Sequence, residues 1–399
     1  MPGIHQSYLS VRPYLRGRPL IVALRALARV NLAAIERNVS LLRSRLTGGA
    51  GLCAVVKADG YGHGALPAAR AALHGGARSL AVATATEAAE LRAGGVQAPV
   101  LIVGALSEEE LPVALEAGAE LVAWNERFVD ALLAAPPGSR GSGPVRVHVK
   151  LDTGMGRLGT RDVEEAVRVA ERIAAAAPAL ELAGAMTHFA TADEDGPFPS
   201  EQLARFEPFV RTLRARWPGI VAHAANSAAT LRFPASHLDL VRCGIAVYGC
   251  DPANQDPMAH GLEPALELSS YVAAVKRAAP GDSAGYGRRF IASEETWLAT
   301  VPIGYGDGVR RALTNNCQVL IGGRRYPLVG TVSMDNITIE VGARDAVACG
   351  EAVTIIGADG GERITAEELA RRIETISYEV VCGISARVPR VYHRDGAPA

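Results

Sequence analysis

The feature that most limits what this chain can fold into is an alternation. Eight short apolar runs, at residues 52–56, 80–83, 100–103, 121–123, 145–149, 182–186, 221–225 and 238–241, have strand character. Segments at 65–73, 86–93, 108–117, 126–133, 163–175 and 202–214 lie between them. These are rich in alanine and charged residues and keep one apolar face, so they predict helices. Eight strand–helix units in succession predict an α/β fold of the TIM-barrel type, (β/α)8. An open doubly wound sheet would alternate in the same way, but no G-x-G-x-x-G follows the first run. Just upstream, Asn31 is placed to cap a helix whose apolar residues Leu32, Ile35, Val39, Leu42 and Leu46 fall mostly on one face.

After about residue 261 the pattern changes to short strand-like runs with glycine-containing turns, at 267–275, 297–301, 318–321, 324–328, 336–340 and 352–356. One helix is predicted at 366–376 and a last strand at 388–392. The expected organisation is therefore an N-terminal extension over 1–26, able to add a strand elsewhere, a barrel over 27–262, and a mainly β domain over 263–399. A chain of 399 residues is long enough for two such cores.

Composition narrows the function. Forty-one basic against forty-two acidic side chains leave a net charge of −1, with no run of like charges to draw nucleic acid or an anionic membrane. A small-molecule partner is expected. The six cysteines are scattered without a C-x-x-C pair, so neither a disulfide framework nor a metal site is indicated. The apolar run 20–24 is too short for a signal segment, which predicts a cytoplasmic protein, and no run approaches the ~18 residues of a membrane span.

In a barrel of this kind the chemistry lies at the C-terminal ends of the strands. Here the first run delivers Lys57 into a glycine-rich turn, where partial desolvation favours a nucleophilic neutral amine. The fifth run leads to Lys150 and on to Arg157, the sixth to His188, the seventh to Asn226 and Ser227, and the eighth to Arg242, Gly244 and Ile245. Each has a plain structural explanation taken singly, such as a helix cap for Ser227 or a buried ion pair for Arg242. Their coincidence on one rim points to a site. Ser227 and the backbone after the eighth run suit a phosphate, and Tyr61 and Tyr378 can add hydroxyl donors.

The segment Val55-Val56-Lys57-Ala58-Asp59-Gly60-Tyr61-Gly62-His63-Gly64, taken with these rim residues, resembles the alanine racemases, and the resemblance runs from about residue 29 to about residue 390. It implies pyridoxal 5′-phosphate as cofactor, Lys57 as the lysine that forms a Schiff base with it, and Arg242 facing the pyridine nitrogen with His223 behind it. It implies phosphate ligands at Tyr61, Ser227, Gly244, Ile245 and Tyr378, with His188 and Asn226 nearby. Arg157 would lie near the phenolic oxygen and the substrate, oriented by a carbamylated Lys150. In the β domain it makes Tyr286 the second base, Tyr305 part of a substrate gate and Met334 part of a substrate-carboxylate loop, all three reaching the barrel of the other subunit in a homodimer with shared sites. The implied reaction is two-base interconversion of L- and D-alanine, supplying D-alanine for peptidoglycan. Thr331 stands where many members carry arginine, which keeps a broad-specificity amino-acid racemase open as the alternative. The related decarboxylases resemble the chain less, because they place a carboxylate at the pyridine nitrogen. Retention of Tyr286 and Met334 speaks against a non-catalytic carrier of the cofactor.

Overall fold

The computed structural model describes residues 14–15, 18–19, 24–136, 143–194 and 196–399, and the chain divides into two compact units. One comprises residues 31–265, 376–382 and 394–399; the other comprises 266–375, 383–393 and the described residues up to Val30.

The first unit holds eight strands: β1 (Gly51–Val55), β2 (Ser79–Val82), β3 (Val100–Ile102), β4 (Leu121–Ala123), β5 (Val145–Lys150), β6 (Leu180–Met186), β7 (Val221–His223) and β8 (Leu240–Cys243). They pair in parallel as β8-β1-β2-β3 and β4-β5-β6-β7. Single-residue seams close the ring. Glu120 N donates to Val100 O at 2.8 Å and Ile102 N to Glu120 O at 2.9 Å, joining β3 to β4. Asp239 N reaches Ala222 O at 3.1 Å and Arg242 N reaches Ala225 O at 2.9 Å, joining β7 to β8. The result is the (β/α)8 barrel that the alternation predicts, each expected strand recovered to within about two residues.

Local chemistry starts the helices. The Asn31 side chain accepts from Ala33 N ahead of Leu32–Ser44, Thr84 and Glu87 form a reciprocal capping box, and Asn125 and Asp162 cap Glu126–Ala134 and Val163–Ala175. Among the described residues no helix is long and apolar enough to cross a membrane.

The second unit is mainly β. One sheet runs in the order Arg324–Pro327, Gln318–Ile321, Ala352–Asp359, Leu266–Tyr271, Leu27–Asn31, Arg390–Arg394; another joins Ala274–Ala278, Thr296–Val301 and Ile337–Glu340. Three stretches differ from the sequence reading. Leu27–Asn31, expected with the barrel, is a strand of this sheet, with Val30 opposite Leu266 and Ala28 opposite Leu268. Its alternating burial, Ala28 and Val30 inside, is the period-2 pattern of a strand, but five residues are too few to announce it. The single strand expected at 267–275 is two, because the chain changes sheets between them: Val272 N bonds Glu351 O and Ala273 N bonds Thr300 O. The helix expected at 366–376 stops at Arg372, Glu374 takes a left-handed φ of 55°, and a new helix, Ser377–Cys382, belongs to the barrel unit. The expected extension 1–26 lies mostly outside the described residues.

Candidate active site

After β1 and Val56 the chain turns left-handed: Ala58, Asp59, Gly60, Tyr61 and Gly62 have φ of 51°, 53°, 61°, 53° and 79°. For the non-glycine residues such a conformation costs ~1–2 kcal/mol each, so the surroundings must impose it. Gly60 N bonds Val56 O at 2.9 Å, Gly64 N bonds Asp59 O at 2.8 Å, and Asp59 Oδ1 accepts from Ala65 N at 2.8 Å. Glu87 Oε1 accepts from Ala58 N at 2.6 Å while its other oxygen takes Ala83 N and Thr84 N, clamping this turn to the next strand–helix turn.

The turn places Lys57 and Tyr61 on a cavity of about 390 Å³. Around it the barrel unit gathers Lys57, Tyr61, Lys150, Arg157, His188, Asn226, Ser227, Arg242, Gly244, Ile245 and Tyr378, every barrel-side site residue singled out in the sequence except His223, which lies behind Arg242. Tyr378 arrives on Ser377–Cys382, which Asn254 anchors by accepting from Ser377 N at 3.0 Å. Val55 and Ala58, beside Lys57, with Val103, Met186 and Cys382 complete the wall; the last three were not anticipated, since apolar residues and a lone cysteine carry no sequence signal for a site.

The electrostatics are one-sided. Lys57, Lys150, Arg157 and Arg242 face the cavity, and among the described residues no carboxylate lines it. Burial, then the Arg157 charge, lowers the pKa of Lys57. Burial, then Arg242 and Arg157, brings Lys150 down to about 8. His188 and His223 are held well below the usual histidine range by burial and Arg242, so both rings are neutral. Arg242 is buried and fixed: Nη1 donates to His223 Nδ1 at 2.9 Å, and Nη2 to Thr187 O, Ala224 O and His188 Nδ1 at 2.7, 3.0 and 3.1 Å. Burial lowers it to about 10, which still leaves it a cation at neutral pH.

At the far wall Ser227 Oγ accepts from Gly244 N at 2.9 Å and Ala246 N at 3.4 Å. A Cβ at Gly244 would lie 2.3 Å from the Tyr61 hydroxyl, so only glycine lets backbone and phenol meet there. Burial pushes the Tyr61 and Tyr378 phenols up, keeping both protonated as donors. Asn226 commits its Oδ1 to capping Ala229 N at 3.0 Å.

Tyr286, Tyr305 and Met334 belong to the other unit, where they are 74%, 43% and 51% exposed. Loops there interlock: Thr331 Oγ1 donates to Tyr286 O at 2.6 Å, Tyr305 N to Ser333 O at 3.0 Å and Gly306 N to Met334 O at 2.9 Å. Arg25 and Arg387 flank the buried Asp307 and reach Asp335, bracing the two loops that carry Tyr305 and Met334.

A partly desolvated lysine at a barrel rim, in a cavity lined by cationic side chains, with a separate mainly β unit on the same chain, defines a class of two-unit barrel proteins whose pocket suits a small anion. The family models that match are the alanine racemase N-terminal domain over residues 30–252 and the alanine racemase C-terminal domain over 265–392. Among curated proteins, the alanine racemase of Symbiobacterium thermophilum is 43% identical, covering 93% of this chain and 97% of its own, and that of Nostoc sp. is 41% identical over 92% and 95%. Among solved structures, the alanine racemase of Bacillus anthracis with bound L-Ala-P superposes with a TM-score of 0.86 at 38% identity, covering 95% of this chain and 97% of that one. The chain belongs to the alanine racemase family.

Proposed function

We propose that the protein is a pyridoxal 5′-phosphate-dependent alanine racemase, acting in the cytoplasm as a homodimer and supplying D-alanine for peptidoglycan. The observation that carries this reading is the barrel cavity, lined by Lys57, Lys150, Arg157 and Arg242 and, among the described residues, by no carboxylate, with Lys57 partly desolvated. These residues fit an anionic phosphate ester. Tyr61, Ser227, Gly244, Ile245 and Tyr378 would hold the phosphate, Arg242 the ring nitrogen, Arg157 the phenolic oxygen and Lys57 the aldehyde carbon. Bound there, the cofactor would supply the electron sink that weakens the substrate Cα–H bond.

The chain's own groups do the rest. Arg242 remains a cation, so it would donate a hydrogen bond to the ring nitrogen without surrendering its proton and would leave that nitrogen unprotonated. Among the described residues its Nε–H and its second Nη1–H have no protein partner, which leaves donors for that nitrogen. Inverting a carbon requires a proton to leave one face and another to arrive on the opposite face. Lys57 Nζ, whose pKa burial lowers, serves one face. The Tyr286 hydroxyl, exposed and with its backbone held by Thr331, serves the other in a partner copy. Arg157 and Met334 would seat the substrate carboxylate and Tyr305 would border its approach.

Every relative named above is an alanine racemase, which favours alanine over a broad substrate range. The test is polarimetry of purified, cofactor-loaded protein with L- and D-alanine and a panel of larger amino acids. Enantiomers have equal free energy, so kcat/KM must be the same in both directions, with alanine fastest. Loss of the alanine reaction, or faster turnover of a large or basic amino acid, would overturn it.

A further inference from the structure

The mechanism uses Arg242 and the histidine behind it, but the hydrogen bonds continue. His223 Nε2 lies 2.9 Å from His148 Nδ1, and His148 Nε2 lies 2.9 Å from Glu120 Oε2. His148 and His223 are fully enclosed and Glu120 is nearly so, with 16% of its side chain exposed. The line of contacts runs inside the barrel from the start of β4 through β5 and β7 to β8. It passes β6 at Gly184, where a Cβ would stand 2.4 Å from His148 Nδ1. A residue with any side chain there would push His148 away from His223.

Donors and acceptors along this line admit one arrangement. A guanidinium only donates, so His223 Nδ1 must accept from Arg242 Nη1. A neutral His223 then carries its proton on Nε2 and donates to His148 Nδ1. That leaves the His148 proton on Nε2, donated to Glu120 Oε2. Burial opposes ionisation of Glu120, but hydrogen bonds from His148 and Arg146 and the Arg146 charge outweigh it and hold the carboxyl below the usual carboxylate range. Its other oxygen is taken by Arg146 Nε at 2.7 Å, and Arg146 also pairs with Glu181. Lys150 is the other charged group bearing on His223, and Cys53 stands near both Arg242 and Glu120.

We propose that Glu120 is a positioning residue for Arg242. Its carboxylate, through the Nε2–H groups of His148 and His223, fixes both ring tautomers, so that the His223 Nδ1 lone pair holds Arg242 Nη1 and turns the rest of the guanidinium to the cavity. Buried hydrogen-bond chains ending in opposite charges polarise each bond along the way, so an anion three links distant is felt at the guanidinium. This rests on Arg242 facing the cofactor's ring nitrogen.

The test uses the cofactor-loaded protein with 15N-labelled histidine. Ring nitrogen shifts should report the Nε2–H tautomer for both His148 and His223, independent of any activity. Glu120→Gln keeps the size and an accepting oxygen for His148 but removes the charge. It should lower kcat roughly tenfold with KM for alanine little changed, and shift the cofactor's visible absorption, while Glu120→Asp restores part of the loss. A Glu120 that served packing alone would let Glu120→Gln keep the wild-type kcat and spectrum, and that result, or an Nδ1–H tautomer in either ring, overturns the proposal. If wild-type protein binds no pyridoxal phosphate, the functional reading fails, while the tautomer measurement still decides whether Glu120 orders the two rings.

Discussion

Lys150 stands at the end of β5 in a wall of positive charge, with Arg242 and Arg157 as neighbours. Its folded pKa, about 8, lies below the ordinary lysine value, so between pH 8 and the value in the unfolded chain the folded state binds fewer protons. Stability from this residue is therefore lowest below pH 8 and rises as pH climbs through 8 toward 10.5. The same shift supplies neutral amine to carbon dioxide, which would form an N–C bond, release one proton and leave an anionic carbamate beside the two arginines. With 13C-bicarbonate, a carbamate carbon signal should grow from pH 7 to pH 9 and vanish in Lys150→Met. In carbon-dioxide-free buffer the same variant should flatten the rise in stability. No signal at pH 9 would leave the two arginines without the anion proposed for them. Lys57, Lys150 and Arg242 were legible in the sequence because each directly follows or ends an apolar run whose strand-end position fixes where it points. Glu120 and His148 were not. Each lies among strand residues with no motif, and only the pairing of β4, β5, β6 and β7 in one sheet brings them to His223.

Strand β6 shows how an element is constrained by neighbours on both sides. At Gly184 an added Cβ would lie 2.4 Å from His148 Nδ1 on β5 and 2.5 Å from Val221 O on β7, and neither the strand backbone nor an enclosed ring can retreat cheaply. Gly184→Ala should therefore destabilise the protein by about 1–3 kcal/mol, read as a lower denaturation midpoint. It should also lower kcat by parting His148 from His223, whereas Ala183→Gly on the same strand should leave kcat unchanged. A Gly184→Ala protein with wild-type midpoint and rate would mean the strands part there at no cost. The barrel strands were readable because each is a short buried run bounded by helical segments of 3.6 periodicity. Leu27–Asn31 escaped notice because its partner, Leu266–Tyr271, lies more than two hundred residues away, and a strand of five residues is specified by that partner more than by its own sequence. The helix expected at 366–376 overran its end at Arg372, and Ser377–Cys382 was not expected as a helix, because nothing in Ile373-Glu374-Thr375-Ile376 is a glycine or proline. The break is made by Glu374 adopting a left-handed conformation that sequence rules do not expect of glutamate.

At the scale of the whole molecule, the proposed two bases belong to different units of the chain: Lys57 to the barrel unit and Tyr286 to the mainly β unit, where the tyrosine ring is largely exposed. The resemblance implies that each site combines Lys57 of one copy with Tyr286 of another, which is the expected arrangement of a two-fold dimer with shared sites. Mixing two inactive variants tests it. Lys57→Ala and Tyr286→Phe proteins, each without activity alone, are unfolded and refolded together in equal amounts. Random pairing makes about half of the dimers mixed, and each mixed dimer holds one doubly defective site and one site with both groups intact. Activity should return to roughly a quarter of the wild-type value if the sites act independently. Were Tyr286 to serve the barrel of its own chain, every site in every dimer would keep one lesion and nothing would be recovered. Mass spectrometry of the intact dimers confirms that mixed species form. Mixed dimers without activity would show that one copy supplies both bases, and the opposite-face chemistry assigned to Tyr286 would then have to be completed within a single chain.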